Sequence, residues 1–154
     1  IGPKQRLEEL LEVFKSTNIP DMKITLRNGV NVNTLNDAKI DILEAMGCNS
    51  VTLAIESGSA HTQKNIIKKN VDLEKAPIIL ETFREKNIEV KTFIMVGLPK
   101  ETDEMREETI NYAASLNMDW SNVYLFYPIN IFHQNSLYIL SSFENIFLIF
   151  FFIK

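Results

Sequence analysis

Strand-like apolar runs alternate with helix-like stripes from Lys4 to Tyr127, one strand and one helix in roughly 30 residues, and nothing else limits the available folds so strongly. The strand candidates are Met22–Leu26, Val51–Ile55, Glu89–Val96 and Asn122–Tyr127. Repeats of this length join consecutive strands by right-handed crossovers, which makes the sheet parallel and the class α/β. Four such βα units, with no strand before them and no closing partner, read as a section of a barrel.

The central unit is Ser50 to Ser59, SVTLAIESGS. Val51, Leu53, Ala54 and Ile55 form a nearly continuous apolar run, the pattern of a parallel strand covered on both faces. The run stops at Glu56, and Gly58 allows a sharp turn. Parallel folds bind ligands at the carboxyl ends of their strands, so a carboxylate there is a site candidate; a solvated loop Glu is the other reading.

In chain order, Lys4–Lys15 is expected to be an amphipathic helix carrying Leu7, Leu10, Leu11 and Phe14, ended by Asn18 and Pro20. A polar turn through Arg27, Asn28 and Gly29 should follow the first strand. Thr34 and Asp37 suggest a capping box for a helix bearing Leu35, Ala38, Ile42, Leu43 and Met46, which Gly47 stops. Ser59 is expected to cap a helix from Ala60 to Lys68, with Lys64, Lys68 and Lys69 placed for the helix dipole and His61 solvated. Asp72 opens a helix packed through Ala76, Ile79, Leu80 and Phe83; Pro77 makes it either start near Pro77 or kink in its first turn. Asn87 fits a left-handed cap before the third strand, which ends in Gly97-Leu98-Pro99. That glycine either admits a flat ligand ring against the backbone or serves a tight turn. Thr102, Asp103 and Glu104 start a helix with a buried stripe of Met105, Thr109, Ile110, Ala113 and Leu116, ending near Asn117. Trp120 is expected as a lid on the core, and Pro128 terminates the fourth strand.

A net charge of −4 and a pI near 5.2 give no electrostatic footprint for nucleic acid. Cys48 is the only cysteine, so thiolates of this chain alone cannot hold zinc or an iron–sulfur cluster, and a reducing cytoplasm fits best. No signal peptide precedes the first helix, and Ile1 in place of Met suggests a start inside a longer reading frame. Three regions follow: 1–20 before the first strand, 21–128 the barrel section, and 129–154 a tail rich in Phe, Ile, Asn and Ser. The tail's composition suggests a frame change. Its clean apolar run, Ile146–Ile153, is far short of the roughly 20 residues a membrane span needs, and reads instead as an aggregation site.

IESGS at Ile55–Ser59, the lysine at Lys68 and FIMVGLPKET at Phe93–Thr102 together resemble the radical S-adenosylmethionine (SAM) superfamily. NGVNVNTLN at Asn28–Asn36 and MGC at Met46–Cys48 are most similar to its cobalamin-binding and methylthiotransferase-like branches. The resemblance covers Leu7 to Pro128. It implies part of a (β/α)6 TIM-like barrel that holds SAM against a 4Fe-4S cluster, which cleaves SAM reductively to a 5′-deoxyadenosyl radical; in these branches cobalamin is a further candidate cofactor. Carried over, Glu56 and the adjoining Ser57 fall where relatives bind the ribose hydroxyls or amino end of SAM. Lys68 matches the cation that pairs with the methionine carboxylate, and Gly97, Leu98 and Pro99 match the strand end lining the adenine.

The family's Cys-x-x-x-Cys-x-x-Cys loop has no counterpart here, and Cys48 falls in a helix-to-strand turn with a packing role. Lys100 and Lys69 stand where relatives carry Gly. The expectation is therefore the C-terminal section of a radical SAM core whose partner is a missing N-terminal barrel half, with no nucleic-acid or membrane partner and a substrate that cannot be read. A non-catalytic α/β module with relic site residues is the alternative.

Overall fold

The computed structural model describes residues 1–17, 19–116 and 118–126, and the backbone of 151–153. The expectations placed on Asn18, Asn117, Tyr127 and Pro128, and on the tail apart from 151–153, lie outside the described residues. Element order is α1 (Lys4–Thr17), β1 (Ile24–Val30), a 3-10 turn (Val32–Thr34), α2 (Asp37–Ala45), β2 (Cys48–Glu56), a π-helical turn (Thr62–Ile67), α3 (Lys75–Glu85), β3 (Glu89–Val96), α4 (Asp103–Ser115), β4 (Trp120–Leu125) and β5 (Phe151–Ile153). The sheet runs β1-β2-β3-β4-β5, with the first four strands parallel, as the alternation demands. β5 adds an antiparallel edge strand, Val123 opposite Phe151 and Ser121 opposite Ile153, which the four-strand expectation did not include.

Apolar side chains of alternate strand positions meet the helices on one face. Val51, Leu53 and Ile55 of β2 and Val90 and Ile94 of β3 join Leu35, Ile40, Leu43, Ala76, Ile79, Leu80 and Phe83 in one core. Burying each large side chain contributes about 1.5–3 kcal/mol. Leu7, Ile42 and Met46 form a smaller cluster with Leu10, Leu11 and Phe14, which docks α1 beside α2. Among the described residues, no helix is long and apolar enough to cross a membrane.

Local chemistry places the helix starts. Asn36, not Thr34, caps α2 by accepting from the Lys39 N–H; Thr34 is spent in the 3-10 turn, its hydroxyl donating to Asn31 O. Asp72 Oδ1 accepts from Lys75 N at 3.0 Å, so the helix it was expected to open begins three residues later and Pro77 falls in its first turn, where no N–H is needed. Thr102 caps α4 through the Met105 N–H. Gly47 (φ +81) and Asn87 (φ +55) end their helices in the left-handed region. In α4, Ile110 is 56% exposed, against its expected place in the stripe; Tyr112 packs on the core instead.

β1 is longer than the alternation of Met22, Ile24 and Leu26 suggested. Arg27, Asn28 and Gly29, expected as a turn, continue the strand to Val30, with irregular pairing between Leu26 and Val30. β4 begins at Trp120, two residues early; Trp120 is a half-buried strand residue that hydrogen-bonds Glu89, not a lid.

Candidate functional site

β2 delivers Glu56 to the carboxyl edge of the sheet in an uncommon backbone state, φ +68. A non-glycine residue is held left-handed only when its surroundings over-determine it, and such positions cluster at ligand sites. Here the surroundings are Gln63, whose Nε2 donates to Ile55 O (2.5 Å) and Ser57 O (2.7 Å), the carbonyls on either side of Glu56. Gln63 is buried, and its Oε1 finds no partner. The Glu56 carboxylate is itself buried, at 7% exposure, and Oε1 accepts from Lys69 Nζ at 2.5 Å.

The segment expected as an α-helix from Ala60 to Lys68 is π-helical over Thr62–Ile67, and the wider turn ends with Lys68 left-handed (φ +57) and Lys69 N donating to Gln63 O at 3.0 Å. One buried residue thus ties down both partners of the Glu56–Lys69 pair, through its side chain and its carbonyl. Lys68 is exposed and finds no side-chain partner among the described residues. His61 is exposed beside Asn65, as expected.

Ser57 is fully buried, so its hydroxyl serves the scaffold. It lies 2.8 Å from Thr109 Oγ1 on α4 and accepts from Ser59 N at 3.1 Å. Thr109 also takes the Gly58 N–H, and a Cβ on Gly58 would meet Tyr112 Cβ at 2.3 Å, so only glycine lets α4 approach the turn.

At the end of β3, Gly97 is left-handed (φ +78), and an added Cβ would lie 2.9 Å from Leu125 Cδ1. On its Cβ side the glycine thus faces the Leu125 side chain of β4. Glu101 Oε2 accepts from Gly97 N (2.6 Å) and Leu98 N (3.1 Å), while Oε1 is buried without a partner. Leu98 is buried, Pro99 exposed, and Lys100 adopts φ +71, the conformation a glycine there would take.

Two participants escaped the sequence reading. Lys69 was expected to serve the helix dipole in a place where relatives carry Gly, and is the ammonium on Glu56; two adjacent lysines were the available signal. Tyr124 lies against Phe93, ring centroids 5.2 Å apart, and its pKa is raised first by burial and then by the Glu56 charge. Cys48 stands at the opposite, amino end of β2, buried, its thiol pKa pushed up by burial. No cluster of metal-ligating residues occurs among the described residues. A three-thiolate iron–sulfur site does not fit this chain.

The family pattern described as "Radical SAM superfamily" matches residues 3–113. The chain is 25% identical over 127 residues to cytidylyl-2-hydroxyethylphosphonate methyltransferase of Streptomyces wedmorensis, taking in 79% of this chain and 23% of that protein. It is 26% identical over 126 residues to tRNA-2-methylthio-N(6)-dimethylallyladenosine synthase of Bacillus subtilis, 79% of this chain and 24% of that one. It thus spans about a quarter of the length of these curated relatives. A radical S-adenosylmethionine methyltransferase from Kitasatospora setae, solved with cobalamin and a 4Fe-4S cluster bound, superposes with TM-score 0.70 at 16% identity, covering 82% of this chain and 25% of that one. Coproporphyrinogen III oxidase from Escherichia coli, described as a radical SAM enzyme, gives TM-score 0.70 at 21% identity, covering 83% and 30%. At these identities the superpositions speak for the fold alone, and it is the expected one: a parallel α/β section of a TIM-like barrel.

Proposed function

The chain belongs to the radical SAM superfamily, and from that membership we propose that it is a section of a radical SAM catalytic core that contributes strand-end contacts to SAM. The observation that carries the reading is Glu56, a buried carboxylate held left-handed at the carboxyl edge of a central parallel strand. A carboxylate in that position can accept from both hydroxyls of a ribose or from an α-ammonium group. Lys69 occupies Oε1, so a ligand contact at that oxygen would be shared with Lys69. Lys68, exposed one residue earlier, is the cation we assign to the methionine carboxylate. Ser57 holds the turn from behind, and Gly97, Leu98 and Pro99 shape the adjacent strand end.

SAM bound beside a reduced cluster supplies a 5′-deoxyadenosyl radical. The cluster's thiolates must come from outside these 154 residues, because the sequence holds one cysteine. Anaerobic reconstitution of this chain with iron and sulfide is accordingly expected to give no cluster absorbance. Cobalamin is carried in the proposal only by the likeness to the cobalamin-bound methyltransferase.

The test is calorimetric titration of SAM into a longer chain that also carries the cysteine loop. Glu56→Ala is expected to weaken SAM binding by about 1.5–3 kcal/mol, roughly ten- to a hundredfold, and Glu56→Gln by less. Unchanged affinity with the cluster intact would return Glu56 to a purely structural role. A relic module is the second reading, and the Lys69 contact that already satisfies Glu56 favours it.

A further inference from the structure

The open face of the sheet, opposite the helices, carries a polar groove that the strand-end residues do not use. Val51, Leu53, Val90 and Ile94 point into the core, so the alternating Thr52, Lys91 and Phe93 turn the other way. With Thr25, Arg27 and Asn122 they line a concavity of about 370 Å³, within the range of small-molecule clefts.

Its charges differ in how far they are satisfied. Glu89 accepts from Ser50 at 2.8 Å and pairs with Lys91 at 3.0 Å; burial alone would raise its pKa, but these contacts hold it below the usual value. That pair is neutral as a unit. Arg27 lines the same groove with no ion pair or hydrogen-bond partner among the described residues, leaving a planar set of five donors unused. Beside it, Phe93 offers an aromatic surface and Asn122 a neutral amide, so the groove has one unspent positive charge, an apolar wall and hydroxyls that suit a polar rim.

We propose that this groove binds a small organic anion, its carboxylate or phosphate on the Arg27 guanidinium and its flat or apolar remainder against Phe93. The inference deepens the radical SAM reading, on which it rests for the ligand's role: the anion is the substrate, held beside Phe93, whose ring lies against Tyr124. An Arg fork matches a carboxylate or phosphate with two parallel hydrogen bonds, which Lys cannot reproduce.

The test uses the full chain and two probes, phenyl phosphate and benzoate, followed by amide chemical shifts, with benzamide as the uncharged control. Saturable shifts are expected at Arg27, Phe93 and Asn122 with one or both anions, and the tighter probe identifies the headgroup. Arg27→Ala is expected to weaken binding by about tenfold or more and Arg27→Lys by less, as loss of a bidentate contact implies. Arg27 is exposed, so both variants keep the spectrum of the folded chain. Equal binding of benzamide, shifts scattered over the surface lysines, or unchanged affinity in Arg27→Ala would overturn the proposal. SAM titration into the longer chain that carries the cysteine loop separates the two readings: Arg27→Ala should leave SAM affinity intact there, and Glu56→Ala should leave phenyl phosphate binding intact.

Discussion

The carboxyl ends of β2 and β3 use the same backbone device with opposite results. Each turns through a left-handed residue and each has a carboxylate in reach. At β2 the left-handed residue is the carboxylate, Glu56, and its turn is held by side chains from elsewhere, Gln63 donating to two carbonyls and Thr109 accepting the Gly58 N–H, so the buried acid is left to pair with a lysine. At β3 the left-handed residue is Gly97, and the carboxylate arrives four positions later, where Glu101 spends Oε2 on two backbone N–H groups. A turn held by remote side chains leaves its own acid free of the turn's backbone N–H groups. A turn held by its own acid does not.

The largest way to break this contrast is Gln63→Ala. It strips buried donors from the carbonyls on both sides of Glu56 and leaves a cavity, which should cost about 2–4 kcal/mol in denaturant unfolding. A loss under half a kcal/mol would mean that the β2 turn holds itself. Next is a matched pair: Glu101→Ala leaves two N–H groups short of an acceptor and should cost about 1–3 kcal/mol. Glu56→Gly instead relieves a left-handed side chain worth about 1–2 kcal/mol while losing one contact to a partly exposed lysine, so stability should stay within about 1 kcal/mol. If the two variants unfolded at the same denaturant concentration, the division of roles between the acids would fail. Lys100→Gly sharpens the comparison gently, with a gain of about 1 kcal/mol for removing a Cβ from φ +71.

The smallest expected effect is spectroscopic. Burial first, and the Glu56 charge second, raise the Tyr124 pKa, so Glu56→Gln should lower its phenolate midpoint in an ultraviolet titration and Glu101→Gln should not move it. Tyr112 is pushed up to about 12 by burial and then by Asp72. Its folded state keeps the proton longer than the unfolded chain does. That share of stability is therefore complete below the ordinary midpoint of 10.0 and is lost as pH rises toward about 12.

Much of this was legible because local chemistry and tertiary context agree. β3 occupies the predicted Glu89–Val96, the glycine and asparagine caps fall where expected, and α4 starts at its acidic turn. Arg27 to Gly29 misled because polar residues in a strand look like a turn when the sheet face they occupy is open and itself polar. Glu56 was visible as a carboxylate after an apolar run. Lys69 was not, since the contact depends on a π-helical turn whose extra residue per turn shifts which lysine comes around. Gln63 gave no signal at all: a glutamine between helix formers is ordinary until its side chain is seen reaching back to the strand.

The hydroxyl contact between Ser57 and Thr109 joins positions 52 residues apart, and Tyr112 fills the space that Gly58 leaves. A chain emerging from the ribosome therefore completes β2 long before it can lock the turn that aims Glu56. Loop closure over that separation comes late, so the sheet can nucleate first and the turn after β2 is completed only when α4 docks. Chain termination or cleavage anywhere between β3 and Thr109 would leave the turn at Ser57 and Gly58 without its hydroxyl partner, while Gln63 alone held the residues around Glu56.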